Sequence, residues 1–312
     1  MHLFHTASIV RALIQDGANS FISIFTKTRE RRERTKDNFP PVTIPDSELR
    51  FLKSRLLRKE YKILVALPIG YAESKETYPV LYVLDADLVF GAIAETVRLL
   101  AAGRKSYGVD IPDIIVVGVG YPIESARTCY QMDMAKPSKY YRARAKDLTP
   151  TEDATMEGWP FGGANDFMAF IRDDLKPLIN SNYRANPENS TIYGSSYGGL
   201  FALYVLFHRP EIFNRYIALS PSIWYDKKVT LDYERKYASE HTELPARLFL
   251  CAGSLEKRIF QDLKEFVQIL QKRNYKGLEW ASYICEGENH ITVWEAIIPR
   301  AILSVFSSPK KD

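Results

Sequence analysis

The chain has 312 residues, of which 46% are hydrophobic, and 42 basic against 38 acidic residues leave a formal net charge of +4. This length can bury a large core in one α/β domain or two smaller ones. So small a net charge gives no long-range basic field of the kind that binds nucleic acid. The three cysteines, Cys129, Cys251 and Cys285, are too few and too scattered for a disulfide framework or a CxxC metal site.

Residues 1–39 are predicted to be an N-terminal basic extension and linker. The run "TKTRERRERTKDNFPPVTIP" is basic and then proline-bearing, and it lacks the interleaved aromatic residues of a nucleic-acid-binding arm. No stretch approaches the roughly 18 apolar residues of a membrane span, and the N-terminus lacks a signal-peptide core. We therefore expect a cytoplasmic protein without nucleic-acid or membrane partners. The mildly amphipathic "MHLFHTASIVRALIQ" leaves an organelle-targeting role open.

From residue 40 to residue 312, strand patterns and helix patterns alternate. The strand-like runs are "YKILVALP", "PVLYVLD", "DIIVVGVG", "STIYG", "RYIALS", "RLFLCAG" and "LEWASYIC". The helix-like stretches are "LVFGAIAETVRLLAAG", "NDFMAFIRDDLKPLI", "LFALYVLFH", "IFQDLKEFVQILQKR" and "TVWEAIIPRAIL". Strands without polar alternation, separated by helices, predict an α/β domain with a mostly parallel central sheet and helices on both faces. The segment at about residues 121–162 is long enough to overhang a site as a lid.

One join in this pattern can carry chemistry. Residues 190–207 read STIYGSSYGGLFALYVLF, which predicts a strand, a tight turn and a helix. The stretch GSSYG at 194–198 matches G-x-S-x-G, and only Ser196 holds the central position of this nucleophile-elbow pattern. Small flanking residues let the strand and the helix close up, and Gly194, Gly198 and Gly199 supply that space. A phosphate-binding or merely structural turn is the alternative, but the strand-turn-helix context favours a nucleophilic serine.

A serine hydroxyl needs a base, and histidine is the usual one at neutral pH. His2 and His5 fall in the extension, and His241 lies in a charged, surface-like segment. His208 ends the helix that the serine begins, about three turns away along a rigid rod. His290, in a polar loop after the last predicted strand, is therefore the predicted base.

The third member should be a carboxylate between the serine and the histidine, because the α/β-hydrolase order is Ser, acid, His. The loop after "RLFLCAG" offers Glu256 and Asp262. Glu256 is preferred because it stands three residues past Gly253, near the expected end of the strand. Asp262 is expected to face solvent on the following helix.

An oxyanion hole needs two N–H donors. The residue after the nucleophile supplies one in this fold, which predicts the backbone N–H of Tyr197, and the loop after an earlier strand supplies the other. Within that loop we choose the N–H of Asp87. Its side chain is expected to be a bystander, or to cap a helix that starts near Leu88.

The chain resembles the esterase D family of α/β-hydrolases, in particular the bacterial branch that includes siderophore esterases. The matching stretches span roughly residues 40–306 in family order and are "YPVLYVLDAD", "IIVVGVGYP", "RAKDLTPT", "GGANDFMAFIRDDLKPLI", "GSSYGGLFALYVLFHRPEIFNRYIALSPSIWYD", "AGSLEK" and "EGENH". The resemblance implies an α/β-hydrolase fold and serine ester hydrolysis without a cofactor or a metal. It also implies Ser196 as nucleophile, His290 as base and the Tyr197 amide in the oxyanion hole.

The sequence departs from this family pattern in two places. Family members commonly have glycine where Ala86 stands and histidine where Ser195 stands. Both positions adjoin the predicted oxyanion hole. Some siderophore esterases also lack a well-placed acid, so a Ser–His dyad without Glu256 is the alternative to a triad.

The substrate is predicted from the lid-like segment and one later aromatic residue. Basic residues there, Arg142 and Arg144 above all, would suit an anionic or catechol-bearing ester, and Trp224 would form a pocket wall. The alternatives are a solvated basic surface and an ordinary core tryptophan. Neither reading defines the natural ester or the oligomeric state.

The predicted function is that of a serine carboxylic-ester hydrolase that works through an acyl-enzyme on a small-molecule ester, with siderophore-type or other anionic and aromatic esters as candidates. Acyl transfer to an alcohol would use the same residues and differ only in the acceptor. A catalytically silent binding protein is the reading from another class, because a fold alone does not prove activity.

Overall fold

The computed structural model describes residues 42–122, 126–133, 135–153 and 157–308. The chain divides after Ile44, and Pro45–Asp312 forms one compact unit. The predicted extension over residues 1–39 lies outside the described residues.

A central sheet of eight strands organises this unit. The strands are β1 (Ser47–Lys53), β2 (Glu60–Ala66), β3 (Tyr78–Val83), β4 (Ile115–Gly120), β5 (Ala185–Ser195), β6 (Arg215–Leu219), β7 (Glu243–Gly253) and β8 (Lys276–Cys285). Their order across the sheet is β1-β2-β4-β3-β5-β6-β7-β8. The β1–β2 and β2–β4 pairs are antiparallel, and every later pair is parallel. The prediction of a mostly parallel α/β sheet is confirmed.

Helices connect these strands. They are α1 (Ala86–Ala102), α2 (Arg104–Tyr107), α3 (Ala126–Cys129), α4 (Lys139–Leu148), α5 (Ala164–Phe170), α6 (Lys176–Asn182), α7 (Tyr197–His208), α8 (Tyr225–Glu240), α9 (Lys257–Arg273) and α10 (Val293–Phe306). One π-helical turn, Ile171–Leu175, joins α5 to α6, so the single helix predicted there is continuous but locally widened. Across the described ranges, no helix has the length and apolar character needed to cross a membrane.

The centre of the sheet and the helix after the nucleophile are buried on all sides. Every residue of β3 and β4 is buried, and so is every residue of α7 from Tyr197 to Phe207. A helix that is apolar all round belongs in the core rather than at the surface. Each large apolar side chain buried in this way contributes about 1.5–3 kcal/mol relative to exposure. The element that carries the predicted nucleophile is therefore firmly anchored.

Five of these strands and helices lie outside the sequence prediction: the short helices α2 and α3, and the longer elements β1, α4 and α8. Strand β1 (SELRFLK) is a partly exposed edge strand that alternates charged and apolar residues, unlike the buried strands. Helices α4 and α8 are rich in charged residues and carry only short apolar stripes. Helix α8 also starts irregularly, because Asp226, Lys227 and Lys228 have φ values of 40°, 55° and 68°. Patterns of apolar periodicity are weakest for such elements.

The parallel strands end at one edge of the sheet. Directly after them come Asp85 (after β3), Ser196 (after β5), Ser220 (after β6), Glu256 (after β7) and His290 (after β8). Because the carboxyl ends of parallel strands meet at the same edge, residues far apart in sequence come together there.

Candidate active site

Ser196 joins β5 to α7 in a strained turn. Its backbone has φ 57° and ψ −116°, a conformation that costs a residue with a side chain about 1–3 kcal/mol. The N–H of Ser196 donates to the Leu219 carbonyl at 3.0 Å. Its carbonyl accepts from the N–H groups of Leu200 at 3.0 Å and Ser222 at 3.1 Å. These bonds to β6, α7 and the loop after β6 hold the serine in the geometry that the nucleophile-elbow pattern predicts.

Close backbone contacts explain two of the three glycines around this turn. A Cβ atom on Gly194 would lie 2.2 Å from the carbonyl oxygen of Gly198. A Cβ on Gly199 would lie 3.0 Å from the carbonyl oxygen of Leu219. At Gly198 the nearest atom would be Asp85 Oδ2 at 3.5 Å, which is an ordinary contact. The space that the sequence assigned to all three glycines is therefore required at Gly194 and Gly199 only.

Glu256 and His290 form a hydrogen-bonded pair at the same edge of the sheet. Nδ1 of His290 lies 2.5 Å from Oε1 of Glu256. Oε2 of that carboxylate accepts from Ser220 Oγ and from the Gly253 N–H, both at 2.6 Å. The Glu256 side chain is 2% exposed, whereas that of His290 is 37% exposed. With Nδ1 engaged, Nε2 is the ring nitrogen left for a second group.

The electrostatic surroundings keep the Glu256 carboxyl ionised. Burial by itself would raise the pKa of Glu256, but hydrogen bonds from His290, Ser220 and the Gly253 N–H outweigh burial and lower that pKa below its ordinary value. An ionised carboxylate beside Nδ1 favours the tautomer that carries its proton there. Nε2 can then accept a proton, which is what a general base requires.

Ser196 and His290 line one cavity of about 410 Å³. Its other lining residues are mainly apolar or aromatic: Leu88, Met132, Tyr141, Arg144, Tyr197, Ser222, Trp224, Ile259, Ile291 and Trp294. The Trp294 ring lies 6.1 Å from the His290 ring, and the Ser222 hydroxyl lies 3.5 Å from that of Ser196. A cavity of this size with a few polar groups can enclose a small organic group.

The two predicted oxyanion donors lie at helix N-termini. Tyr197 is the first residue of α7 and Asp87 the second residue of α1, so neither N–H has a carbonyl partner within its own helix. The Asp87 carboxylate accepts from the Tyr121 N–H at 2.8 Å and pairs with Lys62. It does not cap α1, which starts at Ala86.

Arg144 lines the cavity, but its charge is already paired. Nε donates to Oδ1 of Asp85 at 2.8 Å and Nη2 to Oδ2 at 2.7 Å. The two side chains are only 6% and 5% exposed. The sequence predicts that Arg144 binds an anionic substrate, but in the structure the buried Asp85 carboxylate occupies the guanidinium fork.

The other two predicted substrate-binding residues have different positions. Arg142 is exposed on α4 and lies outside the cavity lining, so it is not placed to contact a ligand there. Trp224 does line the cavity. In the described part of the segment at 121–162, Tyr140 and Ala145 of α4 are completely buried, and Tyr141 lines the cavity. That the segment acts as a lid stays a prediction.

The remaining histidines and Asp262 stay away from the cavity. His208 contacts the backbone of its own helix through Nδ1 at 2.8 Å, and exposed His241 does the same at 3.2 Å. Asp262 was expected to face solvent, but its side chain is 6% exposed and pairs with Lys228 at 2.8 Å. The two N-terminal histidines lie outside the described residues. Within the described residues, no group of three or more His, Cys, Asp or Glu side chains could hold a metal ion.

Sequence reasoning missed several residues of the site. Ser220 and Ser222 follow β6 directly, so the rule that sites form at the carboxyl ends of parallel strands could have found them. Arg258 lies with its guanidinium carbon 5.0 Å above the centre of the Trp224 ring. For Trp294 the sequence offers no signal that separates a cavity wall from an ordinary core position.

The chain is similar in sequence to a family of known esterases. The chain matches the Esterase family over residues 54–301. It is 34% identical over 273 residues to the ferri-bacillibactin esterase BesA of Bacillus subtilis, covering 83% of this chain and 89% of that protein. It is 31% identical over 232 residues to the siderophore triacetylfusarinine C esterase of Aspergillus fumigatus, covering 71% of this chain and 72% of that protein.

A solved structure shares the fold. The BES protein from Bacillus cereus superposes with a TM-score of 0.74 at 30% identity, over 87% of this chain and 98% of that chain. The chain therefore belongs to the Esterase family and is a serine ester hydrolase with an α/β-hydrolase fold.

Proposed function

We propose that this protein hydrolyses siderophore-type esters, with Ser196 as nucleophile, His290 as general base and Glu256 as the acid that orients the base. The observation that carries the proposal is the hydrogen-bonded Glu256–His290 pair, whose histidine lines the same aromatic cavity as Ser196. Similarity to esterases named for ferri-bacillibactin and triacetylfusarinine C supports the substrate class.

The mechanism follows from the positions of these groups. His290 Nε2 takes the Ser196 proton as Oγ attacks the ester carbonyl. The N–H groups of Tyr197 and Asp87 donate to the oxyanion of the tetrahedral intermediate. The protonated histidine then gives its proton to the leaving alcohol, and water releases the acyl group by the same steps.

The cavity lining supports an aromatic substrate. Tyr141, Trp224 and Trp294 line the cavity, and such rings pack well against another aromatic ring. Arg258 stacks on Trp224 at 5.0 Å and brings a positive charge next to this wall. A catechol-bearing ester supplies such an aromatic ring, and its ferric complex also carries the negative charge that Arg258 would attract.

Product analysis with the purified full chain tests the proposal. The protein is incubated with a catecholate trilactone, iron-free and ferric, and in parallel with a neutral short-chain acyl ester. We expect kcat/KM for the trilactone to exceed that for the neutral ester by at least about 100-fold. The reason is that substrate groups away from the scissile bond can contribute binding energy in the transition state. Ser196→Ala should turn over neither.

The possible results separate the parts of the proposal. Hydrolysis of the short ester without cleavage of the trilactone would reject the siderophore-type substrate and leave ester hydrolysis standing. Acylated alcohol in the presence of a competing alcohol would indicate acyl transfer instead. A cytoplasmic location, expected from the sequence, stays a prediction.

A further inference from the structure

A buried ion pair lies beneath the candidate active site and is not used by the proposed chemistry. Arg144, from α4, meets Asp85, the residue between β3 and α1. The Tyr140 hydroxyl also donates to Asp85 Oδ1, at 3.1 Å. Both charges are almost completely removed from solvent, so each depends on the other for its hydrogen bonds.

This pair touches both halves of the predicted oxyanion hole. Asp85 has φ 53° and ψ 35°, and it leads directly into the first turn of α1, which carries one predicted donor, the Asp87 N–H. On the other side, Arg144 Nη2 lies 3.4 Å from the carbonyl oxygen of Ser195, the residue before the nucleophile. The Arg144 guanidinium carbon is also 5.4 Å from the centre of the Tyr197 ring.

We propose that Arg144 is a positioning residue, which holds Asp85 and the N-terminus of α1 against the nucleophile turn and so fixes the spacing of the two oxyanion donors. This inference rests on the proposed function, because it assumes that the N–H groups of Tyr197 and Asp87 bind the oxyanion. It assigns Arg144 no contact with the substrate.

The chemistry of the guanidinium group suits this role. Its planar fork binds a carboxylate through two parallel hydrogen bonds, which fixes orientation as well as distance. Burial by itself would lower the pKa of Arg144, but the Asp85 carboxylate outweighs burial and raises it, so the charge persists at all working pH values. Donors in an oxyanion hole act only when they are preorganised around the developing charge.

The test compares Arg144→Ala with Lys139→Ala, an exposed cation on the same helix that lies outside the cavity lining. Each variant is assayed on a neutral and on an anionic short-chain ester. We expect Arg144→Ala to lower kcat on both esters by at least about 100-fold, the cost of one misplaced oxyanion donor, with KM changed less than about threefold. The Lys139→Ala control should keep wild-type kcat on both esters.

Two further measurements separate positioning from general damage. Added guanidinium chloride, at concentrations that leave the wild type folded, should restore part of kcat to Arg144→Ala, whereas equal sodium chloride should not. Asp85→Asn and the double variant complete a cycle: if the two residues act as one unit, the double variant should lose no more activity than the worse single variant. Losses that multiply would overturn the proposal.

A substrate-binding role would give a different pattern. It predicts an unchanged kcat on the neutral ester and a raised KM on the anionic ester only, and that result would overturn the inference. If Arg144→Ala does not fold, Arg144→Lys replaces it, because lysine keeps the positive charge but lacks the two-pronged guanidinium group. Wild-type kcat of Arg144→Lys on the neutral ester would equally refute the positioning role. Failure of the proposed function is distinguishable, since the wild type itself would then be inactive or Ser196→Ala would retain activity.

Discussion

Replacing Glu256 by glutamine keeps the size of the side chain but removes its charge and one of its two acceptor oxygens. The carboxylate accepts from His290 through one oxygen and from Ser220 and the Gly253 N–H through the other. A glutamine amide has only one oxygen, so it can accept either from His290 or from Ser220 and the Gly253 N–H, but not from both sides. If its NH2 group faces His290, Nδ1 has to act as acceptor, and Nε2 then carries the proton and cannot take one from Ser196.

The opposite orientation of the amide is also unfavourable. Its NH2 group would then face the Gly253 N–H, so that two donors would meet without an acceptor. In the wild type, the Gly253 nitrogen and Glu256 Oε2 are 2.6 Å apart at this place. Neither orientation supplies a charge to stabilise the imidazolium that forms during the reaction. We expect kcat to fall about 10³- to 10⁴-fold, comparable to loss of the orienting acid in other triads. That corresponds to roughly 4–5.5 kcal/mol of activation free energy.

Steady-state kinetics on a short-chain ester measure the effect. Glu286→Gln is the matched control, because Glu286 is exposed and its one side-chain bond, to the Ser254 hydroxyl, can be kept by glutamine. A Glu256→Gln enzyme within about threefold of wild-type kcat would refute the triad and leave a Ser–His dyad. Asp262 could not take over the role, because it is buried against Lys228.

The same variant has a pH signature in stability. The pKa of Glu256 is lowered in the folded protein, so the stability that it contributes is present above the ordinary carboxyl range and is lost as the pH falls through the folded value. Urea unfolding of wild type and Glu256→Gln across acid pH should therefore show a difference that shrinks as the pH falls. A difference that grows towards acid pH would mean that the carboxyl is protonated in the native state.

The remaining predictions concern the nucleophile, the turn and a buried lysine. Ser196→Ala should lower kcat about 10⁴- to 10⁶-fold and Ser195→Ala less than about tenfold in ester assays, and equal losses would reject the assignment of Ser196. Gly194→Ala should lower the free energy of unfolding in urea by more than about 2 kcal/mol, because its Cβ would lie 2.2 Å from a backbone oxygen; an unchanged value would show that the turn can relax. Burial lowers the pKa of Lys176 from 10.5 to about 8. Since the unfolded chain binds more protons between these values, wild-type stability should rise with pH across that window, and Lys176→Met should not show the rise.

Much of the fold could be predicted because its signals are local. Seven of the eight strands carry apolar, β-branched or aromatic runs, and the helix after the nucleophile is apolar throughout. Among the elements that were missed, β1, α4 and α8 are charged and only partly buried, so local patterning distinguishes them poorly from loops. The segment expected to form a lid contains one of these missed elements, α4, a polar helix with a buried face.

The sequence by itself determined the candidate nucleophile, base and acid. The nucleophile follows from a contiguous turn pattern at Ser196, and His290 and Glu256 follow from their order along a parallel sheet whose strand ends share one edge. The tertiary structure alone decided what each charge is paired with. Arg144 meets an aspartate 59 residues away, and Glu256 meets His290 across 34 residues. The free energy of a buried charge depends on such partners from distant elements, which no local pattern encodes.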